Sequence, residues 1–197
     1  MATRAQTEDL YRRDQWGRRL AWGGFGGFEE FIRGQGGIVS RAELLDAGWT
    51  ADELRIARGC YGRPTRLRRG WYCSSDVPAV VRRSWAHGGP LACWSALEWH
   101  ASAGHDVARG LLERRSRHSR YSSAASRDLS GGPDPLHICL PPHAQARRCE
   151  AVDPSPIVRH WHPVAEVRSA RWAVPIDVAI GQALRCSERR DPGPCAG

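Results

Sequence analysis

The spacing of apolar and polar positions changes character several times along the chain. In "FEEFIRGQ" (28–35), Phe28, Phe31 and Ile32 recur at helical spacing, which predicts a short helix with one apolar face. "GGIVS" then reads as a turn and a brief strand. Two helix-start signals follow. Ser40 has Glu43 three residues later, and Thr50 has Glu53. Each is a capping box, in which the hydroxyl takes an orphan backbone N–H and the carboxylate reaches back to the cap. They predict helices over 41–47, with Leu44 and Leu45 inward, and over 51–59, with Leu54 and Ala57 inward. Gly48 ends the first, and "AGWT" is the turn of a helix-turn-helix. "RPTRLRR" and "GWYCS" read as two strands about a tight turn. Pro64 stiffens its entry, and Gly70 permits a turn or bulge before Trp71 and Tyr72 pack inward. Helix, strand, helix-turn-helix, hairpin is the order of a winged helix.

Beyond residue 77 the pattern is mixed. "VPAVVRRSWAHGG" predicts a helix, and "PLACWSALEWHAS" a strand tip running into a helix. "LHICLPP", "PIVRHWHPV" and "SARWAVP" predict three strands, and "PIDVAIGQALRC" a final helix. Residues 107–134 are Arg- and Ser-rich with few apolar positions, the composition of a disordered insertion. The expected fold is α+β: a winged helix over 28–76 followed by a mixed α/β domain over 77–190. A flexible tail over 1–27 and a frayed end over 191–197 flank them. "GGFGGF" lacks the Gly-Lys-Ser/Thr ending of a phosphate loop and reads as a hinge.

Charge sharpens this outline. The 197 residues carry a formal charge of +8, and all 29 basic residues are Arg. A GC-rich coding bias replaces Lys by Arg, so the type of residue says little and its location says more. Between Leu54 and Cys73 stand Arg55, Arg58, Arg63, Arg66, Arg68 and Arg69, with no acid among them. Guanidinium forks suit phosphate oxygens and guanine edges. The arginines of 107–134 read as those of a solvated loop.

The seven cysteines are scattered and include no C-x-x-C, and the N-terminus has no apolar signal core. That pattern points to a reducing cytoplasm and buried thiols. No run approaches the ~18 apolar residues of a membrane span.

Candidate chemistry is sparse. His160 and His162, in "HWH", with His137 and Cys139 nearby, are zinc-type ligands, but their spacing fits no zinc framework, and neither a metal nor another cofactor is expected. Cys93 and His100 lack an orienting third group and read as a core thiol and a helix histidine. A Mg-dependent nuclease needs clustered carboxylates. From Pro135 onward acids are isolated, and without Lys no D…E-x-K motif exists. A non-enzyme is expected.

"GGIVSRAELLDAGWTADELRIARGCYGRPTRLRRGWY" resembles the N-terminal winged-helix domain of AbiEi-type antitoxins of type IV toxin–antitoxin systems. "GGPLACWSALEWH" resembles the stretch that follows in actinobacterial members, and "LHICLPPHAQARR" and "VRHWHPV" look like later strands. The match covers roughly 28–105 and 135–186; the 107–134 segment departs from it. Many such relatives carry a very-short-patch-repair-like endonuclease domain, which begins where this chain stops. The resemblance implies a DNA-binding (auto)repressor acting on its own promoter, with a cognate toxin as a second partner. Residues 51–59 would enter the major groove, with Thr50, Arg55 and Arg58 near bases or phosphates. Arg63, Arg66, Arg68 and Arg69 would hold the backbone, and Ser40 and Arg41 would meet phosphate at a helix N-terminus. A homodimer would imply a palindromic operator. Two other readings remain at this point: the DNA-recognition remnant of a truncated endonuclease, and a toxin-opposing interaction protein with weak DNA binding.

Overall fold

The computed structural model describes residues 27–61, 64–123, 134–144, 156–163 and 171–188. The expectations for 1–26, Arg63, 124–133 and 191–197 lie outside the described residues. In chain order the elements are α1 (Gly27–Gly34), β1 (Ile38–Ser40), α2 (Arg41–Asp46), α3 (Ala51–Tyr61), β2 (Thr65–Arg68) and β3 (Trp71–Cys73). They continue with α4 (Ala79–His87), α5 (Cys93–Ser102), α6 (Asp106–Ser123), β4 (Leu136–Leu140), β5 (Ile157–Trp161) and α7 (Ile176–Glu188). The fold mixes α and β, as an α+β reading requires. Two compact units divide between Arg82 and Arg83. That division lies inside α4, six residues after the change in composition at 76/77. Among the described residues no helix is long and apolar enough to cross a membrane.

In the first unit, both capping boxes form. The Ser40 hydroxyl accepts from the Glu43 N–H at 3.2 Å, and a Glu43 carboxylate oxygen accepts from the Ser40 N–H at 2.7 Å. At α3 the Glu53 carboxylate takes both the Thr50 N–H, at 2.8 Å, and the Thr50 hydroxyl, at 2.7 Å. The helices bury Phe28, Phe31, Ile32, Leu44, Trp49, Leu54 and Ala57 with Val39 and Tyr72 in one core. Phe28 stacks on Trp49 with ring centroids 3.8 Å apart. Burying each of the larger side chains contributes roughly 1.5–3 kcal/mol.

An antiparallel sheet of order β1-β3-β2 joins this core. Gly70, at φ +79°, makes the tight turn between β2 and β3, a conformation that costs glycine little. The register jumps between Arg66, opposite Tyr72, and Arg68, opposite Trp71. Successive strand residues face opposite sides. Tyr72 is therefore buried in the core, whereas Trp71 is only half-buried, correcting the expectation that both pack inward. Leu45 is likewise half-buried.

In the second unit, β4 and β5 pair in parallel from Leu136↔Ile157 to Leu140↔Trp161. Leu91 bridges Ile138 on one side and Ala173 on the other. The expected strand "SARWAVP" reduces to that single bridge at Ala173 among its described residues. α5 packs on α6, α7 and β4.

The largest correction concerns 107–134. Its first part is helical, as α6, through Ser123. A narrow stripe holds it: Ala108 is fully buried, and Leu111, Leu112 and Arg115 are half-buried at helical spacing. The Arg115 guanidinium lies 4.8 Å over the Trp94 ring and reaches Glu98 and Asp134. The side chain works through its planar cation, which composition alone counts as solvation.

Candidate nucleic-acid interface and a buried thiol–imidazole cluster

Four residues, 47–50, separate α2 from α3, and Gly48 (φ +95°) turns the chain there. Leu54 and Ala57 hold one side of α3 in the core, so Arg55 and Arg58 emerge exposed. Arg55 pairs with Asp52 at 3.5 Å, an exposed pair whose strength is small in water. The Arg58 guanidinium lies 6.0 Å from the Tyr72 ring. Tyr72 sits directly opposite Arg66, and cross-strand partners share a face. The Arg66 side chain is exposed, and its Nε donates to the Arg68 carbonyl at 3.3 Å.

The other arginines are divided. The register jump places Arg68 on the far face of the hairpin, where its guanidinium lies 5.3 Å over Trp71. Arg69 is exposed at the turn. Thr50 is exposed, but its hydroxyl both accepts from the Glu53 N–H and donates to the Glu53 carboxylate. The Ser40 hydroxyl accepts from the Glu43 N–H, and the Glu43 carboxylate takes the Ser40 backbone N–H. The Arg41 N–H donates to the Gly70 carbonyl at 2.7 Å. At the start of α2 the Ser40 and Glu43 N–H groups thus serve the cap and the Arg41 N–H the hairpin turn, while the Arg41 side chain is exposed.

A second constellation lies in the 83–197 unit. Cys93, His137, His160 and Cys186 bring one ligand atom each to within 4.8 Å of one another. The His137 Nδ1 is 3.1 Å from the His160 Nε2, and the Cys186 Sγ is 3.9 Å from that same nitrogen. The fold brings them from four elements. His137 and His160 come from the paired strands. Cys93 begins α5, immediately after the Leu91 bridge. Cys186 lies one turn after Gln182 on α7, and the Gln182 side-chain oxygen accepts from the Cys93 N–H at 3.0 Å. The Ser95 hydroxyl accepts from the His137 N–H at 3.0 Å. Cys93 has φ +48°, a backbone conformation that L residues adopt only at a cost of ~1–3 kcal/mol. Both imidazoles are buried. Desolvation, with the neighbouring His160 and Arg115 charges, lowers His137 to about 3; desolvation and Arg185 lower His160 to about 4. Both rings are neutral near pH 7. Cys93 and Cys186 are thiols rather than halves of a disulfide.

Sequence reasoning named three of these four residues but split them, setting His137 and His160 with His162 and Cys139, and Cys93 with His100. Cys139 is buried two residues along β4 from His137, about 7 Å further on. His162 follows the end of β5, its N–H bonded to the Leu140 carbonyl. Cys93 does not meet His100, whose Nε2 lies 2.9 Å from the Val174 carbonyl. Among comparisons with known proteins, no family model, no curated protein and no solved structure matches this chain.

Proposed function

We propose that the chain is a DNA-binding protein of winged-helix type, acting as an antitoxin-like transcriptional repressor at its own promoter. The observation that carries this reading is the arginine set on α3 and the hairpin. From Leu54 to Cys73 the segment contains no acid; exposed Arg58 lies 6.0 Å from the Tyr72 ring, and exposed Arg66 is the cross-strand neighbour of Tyr72 in the ladder. The element order α1-β1-α2-α3-β2-β3, with sheet order β1-β3-β2, is the arrangement in which a recognition helix and a wing serve one duplex. In this reading α3 enters the major groove, with Arg55 and Arg58 toward bases or flanking phosphates. Arg66 and Arg69 hold the backbone from the wing. Arg68 supports the wing through Trp71. Thr50 and Ser40 act indirectly, by fixing where the two helices begin. A cognate toxin, or a second copy of the chain, would be met by the 83–197 unit.

The test is equilibrium binding to a fluorescent promoter duplex and to a scrambled duplex of equal length, at several salt concentrations. Specific binding whose logarithm falls steeply with log[salt] is expected, because each neutralised phosphate releases counterions. Arg66→Ala should lower the slope by about one. Equal, weak binding to both duplexes would end the repressor reading.

A further inference from the structure

We propose that Cys93, His137, His160 and Cys186 form a tetrahedral zinc site that ties α5, β4, β5 and α7 together in the 83–197 unit. The donor set is two thiol sulfurs and two imidazole nitrogens, the Cys2His2 set that zinc takes in closed structural sites. With Zn–N near 2.05 Å and Zn–S near 2.3 Å, a tetrahedron has edges of about 3.3 Å between nitrogens and about 3.8 Å between sulfurs. The observed 3.1 Å between His137 Nδ1 and His160 Nε2 is close to the first figure. The 3.9 Å from Cys186 Sγ to His160 Nε2 is near the ~3.6 Å of a mixed edge. All four ligand atoms lie within 4.8 Å of one another, about 1 Å beyond the longest edge of such a tetrahedron, a shift within reach of a side-chain rotation.

Three further features fit a ligand at this point. Cys93 stands at the first position of a ten-residue helix, where the dipole favours a thiolate. Its left-handed backbone is held by Gln182, one turn before Cys186 on the same helix, so the two sulfur-bearing segments are fixed to each other. Two thiolates and two neutral imidazoles give Zn²⁺ a site of zero net charge, which suits residues as buried as Cys93 (0% exposed) and His160 (3%). Four protein donors leave no open coordination position, so the site is structural rather than hydrolytic. Cys186 is the one half-buried member of the four. On binding, each thiol loses its proton to solvent and two Zn–S and two Zn–N bonds form; nothing is oxidised or reduced.

The test is titration of the chelator-treated full chain with Co²⁺, whose visible and sulfur-to-metal charge-transfer absorption reports tetrahedral thiolate ligation. One equivalent is expected to develop the full spectrum, and Zn²⁺ to abolish it. Cys93→Ser and Cys186→Ser should each lose the spectrum. Cys139→Ser, at a buried thiol outside the cluster, should retain it. His160→Cys, which keeps a zinc-type donor, should bind, whereas His160→Gln should weaken binding at least 100-fold. That contrast separates ligation from loss of fold. Absence of the charge-transfer band in the wild-type chain would overturn the proposal. So would a wild-type spectrum unchanged by either Cys93→Ser or Cys186→Ser.

Discussion

Replacing Glu53 by Ala should destabilise the first unit far more than its place on a short surface helix implies. Glu53 is 8% exposed, and one carboxylate oxygen accepts from both the Thr50 N–H and the Thr50 hydroxyl. Its own N–H donates to the Thr50 hydroxyl at 3.2 Å. Truncation removes a charged acceptor for two donors and leaves the cap with one arm. Hydrogen bonds to a charged group contribute about 1.5–3 kcal/mol, and a lost cap costs about 0.5–2 kcal/mol; the two overlap here. The expected loss is about 2–3 kcal/mol, or roughly 10–20 °C in the midpoint for a unit of this size. Glu43 makes the same box at α2 but is half-buried, its carboxylate taking the Ser40 N–H at 2.7 Å, so Glu43→Ala should cost about 1 kcal/mol. Thermal unfolding of the full chain by circular dichroism, with chemical denaturation for the free energies, measures both. Glu53→Gln should fall between wild type and Glu53→Ala, because an amide oxygen still accepts without the charge. A loss below about 0.5 kcal/mol for Glu53→Ala, or no difference between the Gln and Ala variants, would refute the reasoning.

Gly70→Ala should destabilise the hairpin by about 1 kcal/mol through backbone strain alone, since φ is +79° and nothing lies within 4 Å of an added Cβ; an unchanged denaturation midpoint would contradict this. Burial raises the Cys73 thiol from 9.0 to about 11. Its contribution to stability is complete below pH 9 and is lost as pH rises from 9 to about 11, with a slope of up to about 1.4 kcal/mol per pH unit. The wild-type free energy should therefore fall faster than that of Cys73→Val across this window, and parallel curves would show that folding leaves the thiol's ionisation unshifted.

The elements that could be read from the sequence are those whose signals are local. Ser40 with Glu43, Thr50 with Glu53, and Gly70 each act within three residues, and each reappears with the expected role. The apolar spacing of Phe28, Phe31 and Ile32 likewise becomes one buried face. What escaped depends on partners distant in the chain. α6 looks like a solvated loop because, among its described side chains, the contact stripe is Ala108, Leu111, Leu112 and Arg115, and Arg115 counts as polar until Trp94 lies beneath it. The register jump that parts Arg66 from Arg68 leaves no mark in composition. The four cluster residues sit on four elements, so no short motif contains more than one of them. Only strand pairing and the α5–α7 packing reveal them as neighbours.

The bridge at Leu91 makes the second unit depend on chain that is synthesised late. Its N–H bonds the Trp172 carbonyl, its carbonyl accepts from the Val174 N–H, and Cys93 next to it waits for Gln182, 89 residues further along the chain. In the first unit the ladder joins Ile38 to Cys73, so its loops close early. Closing distant contacts delays folding, because loop entropy is spent before the contacts form. A chain emerging from the ribosome therefore completes its basic, helix-and-hairpin unit first. The second unit's long-range contacts wait until α7 has been synthesised, and until then the fully buried strand β4 lacks part of its native cover.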